Sequence, residues 1–182
     1  MKKTYVLFLM VCCFLGLSNV SNAQVSFSHS AGASAYVGGQ AAAWGINYSP
    51  RINLIELGDE MTLSLGTHLG LGLSYNSRDG SGNSFTLDLP LMAELNFGHA
   101  SHPETSSSFG GFAGIGYGIS KIGSSGTFGA DYNNAAGLVI NGGVRFLVAE
   151  RAVGVRVAYM VNFKADAKNV IGVGAFYTFG SF

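Results

Sequence analysis

Apolar residues recur at every second position through most of this chain, and no stretch of useful length carries the 3.6-residue period of a helix. The cleanest case is 85–97. There Phe85, Leu87, Leu89, Leu91, Ala93, Leu95 and Phe97 alternate with Thr86, Asp88, Pro90, Met92, Glu94 and Asn96. Successive side chains of extended backbone point to opposite faces, so this pattern predicts a strand with one apolar face. Eight such segments can be read: 25–37, 44–54, 61–75, 85–97, 109–121, 138–148, 153–163 and 170–182. The connectors are rich in Gly, Asn, Asp and Ser, as at 76–84 and 123–134. Eight consecutive strands in up-and-down order close naturally into a barrel. The predicted fold is all-β, an eight-stranded antiparallel up-and-down β-barrel, and a transmembrane one if its apolar face meets lipid.

The N-terminus reads as a leader and not as part of that fold. Lys2 and Lys3 precede an apolar run from Tyr5 to Leu17, and Ser21-Asn22-Ala23 offers small residues where a signal peptidase cuts. Residues 1–23 are therefore expected to be a signal peptide and 24–182 the barrel domain. Both cysteines, Cys12 and Cys13, lie in the apolar run. Val11 precedes Cys12 and the run continues past Cys13, which argues against a lipoprotein. The exported chain then has neither disulfides nor a thiolate metal site. Removing Lys2 and Lys3 leaves eight basic residues against ten acidic ones, net −2, with no basic patch to suit nucleic acid.

Alternation alone does not say whether the apolar faces meet a protein core or lipid. In a soluble barrel the other face would be the outer one and should be rich in charge. Here that face is mainly Gly, Ser, Asn and Thr, and the whole sequence is 11% charged, against about 25% in ordinary soluble domains. The inverse assignment suits the composition: apolar residues facing lipid, small and polar residues filling a narrow lumen. The apolar phase also places aromatics near both strand ends. Trp44, Tyr75, Phe85, Tyr159 and Phe163 fall towards one end, and Phe97, Phe109, Phe146, Tyr177 and Phe179 towards the other. Membrane interfaces favour two such belts.

Signal peptide, eight amphipathic strands and a terminal aromatic strand together resemble the small outer-membrane β-barrel proteins of Gram-negative bacteria, with the architecture of the OmpA membrane domain and the OmpX group. The resemblance implies an outer-membrane location and contact with outer-membrane lipid. It also implies recognition by the barrel-assembly machinery through a last strand whose alternate apolar residues end in an aromatic. Val173, Ala175, Tyr177 and Phe179 match that signal in phase; Phe182 is out of phase unless a bulge restores it. The family topology puts the termini in the periplasm, with outer loops near 38–43, 76–84, 122–135 and 165–169. Glu150-Arg151 would be a tight periplasmic turn, and 98–108 is long for one.

Five charged residues fall on the inward phase: Arg51, Asp88, Glu94, Arg145 and Arg156. A turn at Glu150-Arg151 would set Arg145 opposite Arg156, leaving Glu94 and Asp88 as counter-charges. The expectation is an ion-pair layer that plugs the lumen, since buried charges require partners; a gated ion path is the competing reading. Ser64, His68 and Asp88 share the inward phase of neighbouring strands and could suit acyl chemistry, although a narrow lumen gives lipid poor access. His99, His102 and Glu104 share one connector without a further ligand, so no metal or cofactor is implied. The role expected is structural or interactive, through contacts with a surface or envelope partner. A lipid-modifying enzyme or a narrow pore is the alternative.

Overall fold

The computed structural model describes residues 25–39, 41–76, 84–101, 105–126 and 129–181. The expected leader and Phe182 lie outside them, as do His102 and Glu104. The described residues form nine strands: β1 (Ser26–Gly38), β2 (Ala41–Glu56), β3 (Met61–Thr67), β4 (Leu69–Asn76), β5 (Ser84–Gly98), β6 (Phe109–Gly126), β7 (Gly129–Val148), β8 (Arg151–Asn162) and β9 (Val170–Ser181). Every pairing is antiparallel, and β1 pairs with both β2 and β9, which closes the sheet on itself. A closed ring leaves no unpaired edge. Because β3 and β4 both run between β2 and β5 and the register is the same on either side of the break between them, they are halves of a single stave, and the ring has eight staves.

The stave is interrupted at His68, and its neighbours give the reason. β2 pairs Arg51 with Gly66 and then Tyr48 with Leu69, so Pro50 stands opposite Thr67. β5 pairs Leu91 with Thr67 and then Asp88 with Gly70, so Pro90 stands opposite His68. Neither proline brings an N–H to the ladder. The Thr67 hydroxyl partly compensates by donating to the Pro90 carbonyl at 2.5 Å.

The inside-out assignment holds throughout. Trp44 is 67% exposed, Ile46 69% and Phe85 63%, whereas Asn47, Arg51, Glu94, Asn96 and Arg145 are buried. The outward aromatics continue from stave to stave. Phe109, Phe146, Val153 and Tyr177 stand in one cross-strand row, and the rings of Phe109 and Phe146 are 5.4 Å apart. Trp44 and Phe85 flank Leu73 in another row.

Three connections differ from expectation. The segment 122–135 is not a loop: β6 and β7 pair continuously to Gly126–Gly129, and Ile122 and Ala135 are buried. Ile122 and Ala135 point inward and gain burial there, which extends the ladder beyond where the outward alternation fades. The first hairpin is likewise tighter than 38–43, with Gly38 paired to Ala41 across a turn at Gly39, whose φ is +66°. The β7–β8 turn is Ala149-Glu150 and not Glu150-Arg151, because Val148 pairs with Arg151. Both turn residues have positive φ, 48° and 64°, the conformation of a two-residue turn whose twist matches that of the strands.

Near the C-terminus β9 carries a bulge against β1. Ser30 pairs with Thr178 and His29 with Gly180, so Phe179 is the extra residue. Its ring lies 4.4 Å from that of His29 and stacks on Tyr177.

Candidate functional site in the barrel interior

The inward face of β5 is the spine of the interior: Asp88, Pro90, Met92, Glu94 and Asn96 are all buried. Around its last two members the lumen is polar and densely hydrogen-bonded. Asn96 Oδ1 accepts from Arg51 Nη1 at 2.6 Å and from Arg145 Nη2 at 2.7 Å. Asn96 Nδ2 donates to Ser64 Oγ at 2.8 Å. Arg51 Nη2 reaches Ser28 Oγ at 3.0 Å and the Ala100 carbonyl at 2.6 Å, and the Arg145 guanidinium lies 4.5 Å from the centre of the Phe112 ring.

That Ala100 contact gives the start of the 98–108 connection a part in the network. Ala100 and Ser101 fold under the barrel mouth, with Ala100 at φ +56°. Their carbonyls point inward: Ala100 O serves Arg51, and Ser101 O accepts from the Thr62 hydroxyl at 2.9 Å.

One level along, Glu94 Oε1 lies 2.7 Å from His68 Nε2 and accepts from Asn141 Nδ2 at 2.5 Å. His68 Nδ1 lies 2.8 Å from Ser49 Oγ. A carboxylate only accepts, so Nε2 carries a proton, and Nδ1 shares the other hydrogen bond with the Ser49 hydroxyl. Glu94 and Asn141 belong to β5 and β7, and they meet across Gly114 of β6. A Cβ at Gly114 would lie 2.6 Å from Glu94 Cγ and 2.7 Å from Asn141 Oδ1; the missing side chain lets the pair close.

Towards the other end the interior turns apolar. Tyr36, Ala43, Met92, Ile122, Ala135, Val139, Met160 and Val170 form one buried cluster. The lumen thus has a polar half and an apolar half, with His68 bordering a cavity of about 20 Å3 on each side. Each has room for about one water molecule. Asp88 and Arg156 line the cavity on the apolar side, with Tyr36; Arg51, Glu94 and Arg145 line the other.

All five charged residues read from the sequence as inward therefore occupy the lumen, in two groups. Their pairing differs from expectation. Arg145 lies opposite Gly154 and Arg156 opposite Gly143, because the turn sits one residue earlier than read. Among the described residues the inward carboxylate in contact with a basic side chain is Glu94, through His68, and no inward carboxylate lies within 4.0 Å of an inward arginine. Arg51 is held instead by Asn96, Ser28 and a main-chain carbonyl, and Arg145 by Asn96. Asn96 was visible as an inward residue, but nothing in a neutral amide signals that two cations converge on it.

Ser64, His68 and Asp88 are not assembled as a catalytic group. Ser64 Oγ donates to the Glu94 carbonyl at 3.3 Å, and Asp88 lines the cavity on the apolar side of His68, which Ser64 does not line. The residues that do bracket His68, Ser49 and Glu94, are buried, and the cavity beside them is far too small for an acyl chain. Tyr177 and Phe179 are on the outer surface of β9. Among the described residues no group of three His, Cys, Asp or Glu could hold a metal.

The fold is the eight-stranded barrel of the small outer-membrane proteins. No family model matches the chain, and no curated protein matches it, but solved structures do. Ail, the attachment invasion locus protein of Yersinia pestis, is similar over 85% of this chain and 99% of its own, at 14% identity and a TM-score of 0.55. A second Ail structure, in complex with the heparin analogue sucrose octasulfate, gives a TM-score of 0.54 at 15% identity over the same shares. Neisserial surface protein A is similar over 85% of this chain and 94% of its own, at 12% identity and a TM-score of 0.50. At these identities the likeness is one of fold.

Proposed function

We propose that this chain is an integral outer-membrane β-barrel protein with a closed lumen and a structural or surface-interaction role. One observation carries the reading: the ring is inside out, with an apolar outer face and an inward polar network backed by an apolar cluster. Such a surface suits lipid, and a closed ring satisfies its backbone without water. Strands of 12 or more residues, as in β2 and β5–β9, exceed the ~9–11 that a tilted strand needs to cross. Residues 1–23 serve as the export signal, and Tyr177 and Phe179 present the outward aromatics that barrel-assembly machinery reads. The interior favours a plug over a pore, since the polar side chains bond to one another and the apolar cluster raises a dewetted barrier to ions. The loop ends are left as the surface for an envelope or extracellular partner.

Outer-membrane fractionation followed by gel migration with and without heating tests the reading. A folded barrel should migrate differently from its boiled form; a water-soluble periplasmic product would defeat it. Planar-bilayer recording separates plug from pore, steady conductance favouring the pore.

A further inference from the structure

The polar half of the lumen holds two cations that its carboxylate does not neutralise. Arg51 is 7% exposed and Arg145 4%, and both donate to a single neutral oxygen, Asn96 Oδ1. Guanidinium groups brought that close repel, and the repulsion is strong where water is excluded. Glu94, the carboxylate that shares their cavity, is engaged by His68 and Asn141. Two guanidinium donors, Arg51 Nε and Arg145 Nη1, are shielded from solvent and have no hydrogen-bond partner. Both arginines line the cavity of about 20 Å3, together with the hydroxyl-bearing Ser28 and Ser30.

Excess positive charge and a space of this size, walled by both arginines and by two serines, define an anion site. We propose that this chamber binds one small inorganic anion, chloride, as the counter-ion of Arg51 and Arg145. Chloride is close to a water molecule in size, and the cavity admits about one. A tetrahedral oxyanion, with five heavy atoms, does not fit. The anion completes the plug from inside: it supplies the counter-charge that the arginines lack while leaving Glu94 free to hold His68 and Asn141. The site requires only the closed ring and its arginines, so its test is separate from the conductance that tests the plug.

The test uses the folded protein in zwitterionic detergent. Its heat-unfolding midpoint is followed as sodium chloride replaces sodium gluconate at constant ionic strength. Chloride at ten times its Kd should raise the midpoint by roughly 3–5 °C. Asn96→Asp places a fixed carboxylate between the two guanidiniums, so it should raise the midpoint and abolish the chloride response. Bromide soaked into crystals of the unaltered protein should give anomalous density between Arg51 and Arg145, a readout independent of whether the variant folds. A midpoint indifferent to chloride in the unaltered protein overturns the proposal. So does a chloride response that survives in Asn96→Asp, or bromide found only elsewhere.

Discussion

Arg51 and Arg145 sit on different staves, yet both donate to the same atom, Asn96 Oδ1, at 2.6 and 2.7 Å. Replacing Asn96 by Leu keeps the approximate volume and removes the acceptor from both. Leaving buried charged donors unmet is expensive, so Asn96→Leu is predicted to lower stability by about 2–4 kcal/mol. Urea unfolding in detergent measures it, and an unchanged midpoint would show that the shared oxygen contributes nothing.

Glu94 should matter through its hydrogen bonds as well as through charge. Glu94→Ala removes the acceptor of His68 and Asn141 and the carboxylate that shares a cavity with the two arginines. The expected result is a lower heat-unfolding midpoint and, with the network loosened, more single-channel current in planar bilayers. If neither changes, the polar layer is not what closes this half of the lumen.

Space at Gly114 is the condition for the Glu94–Asn141 bond. A Cβ there would press on both residues at 2.6 and 2.7 Å, so Gly114→Ala should destabilise by about 1–3 kcal/mol. Gly142 is the control, because its nearest foreign atom would be 3.4 Å away. Equal effects at the two sites would refute the steric account.

The break at His68 depends on one compensating contact in the barrel wall. Thr67→Val keeps the shape and deletes the hydroxyl that donates to the Pro90 carbonyl. A loss of about 1 kcal/mol is expected, together with faster amide exchange at Leu69 and Gly70. Unaltered exchange there would mean that the interruption is stabilised by something else.

The bulge at Phe179 makes the role of the last residues testable. Deleting 180–182 should leave membrane insertion intact if Phe179 ends the assembly signal. Insertion assayed by heat-modifiable migration decides the point, and loss of the folded band would assign the signal to the deleted residues.

Much of the fold was legible in the sequence because alternation is a local property of the pleated backbone. Phe85 to Phe97 shows its two faces without reference to any other strand, and eight such segments leave a closed ring as the natural solution. The same logic assigned Arg51, Asp88, Glu94, Arg145 and Arg156 to the inside. It fell short where the inward residues themselves are apolar. Ile122 and Ala135 break the outward pattern, so a continuous hairpin read as a loop. Met92 and Met160 were visible as inward residues, but not as parts of an apolar half-lumen with Ile122, Val139 and Val170.

What the sequence by itself determined is which side of the wall each residue occupies, and hence that the protein is an inside-out barrel. Only the tertiary structure decided who meets whom inside. Facing partners depend on register, and register here turns on single residues: the left-handed pair Ala149-Glu150 moved Arg145 away from Arg156 by two positions. Contacts across the lumen add a further condition, since Glu94 reaches Asn141 over an intervening glycine and two arginines share one amide oxygen. These meetings are set by the closure of the ring, a property of all eight staves together that no single segment carries.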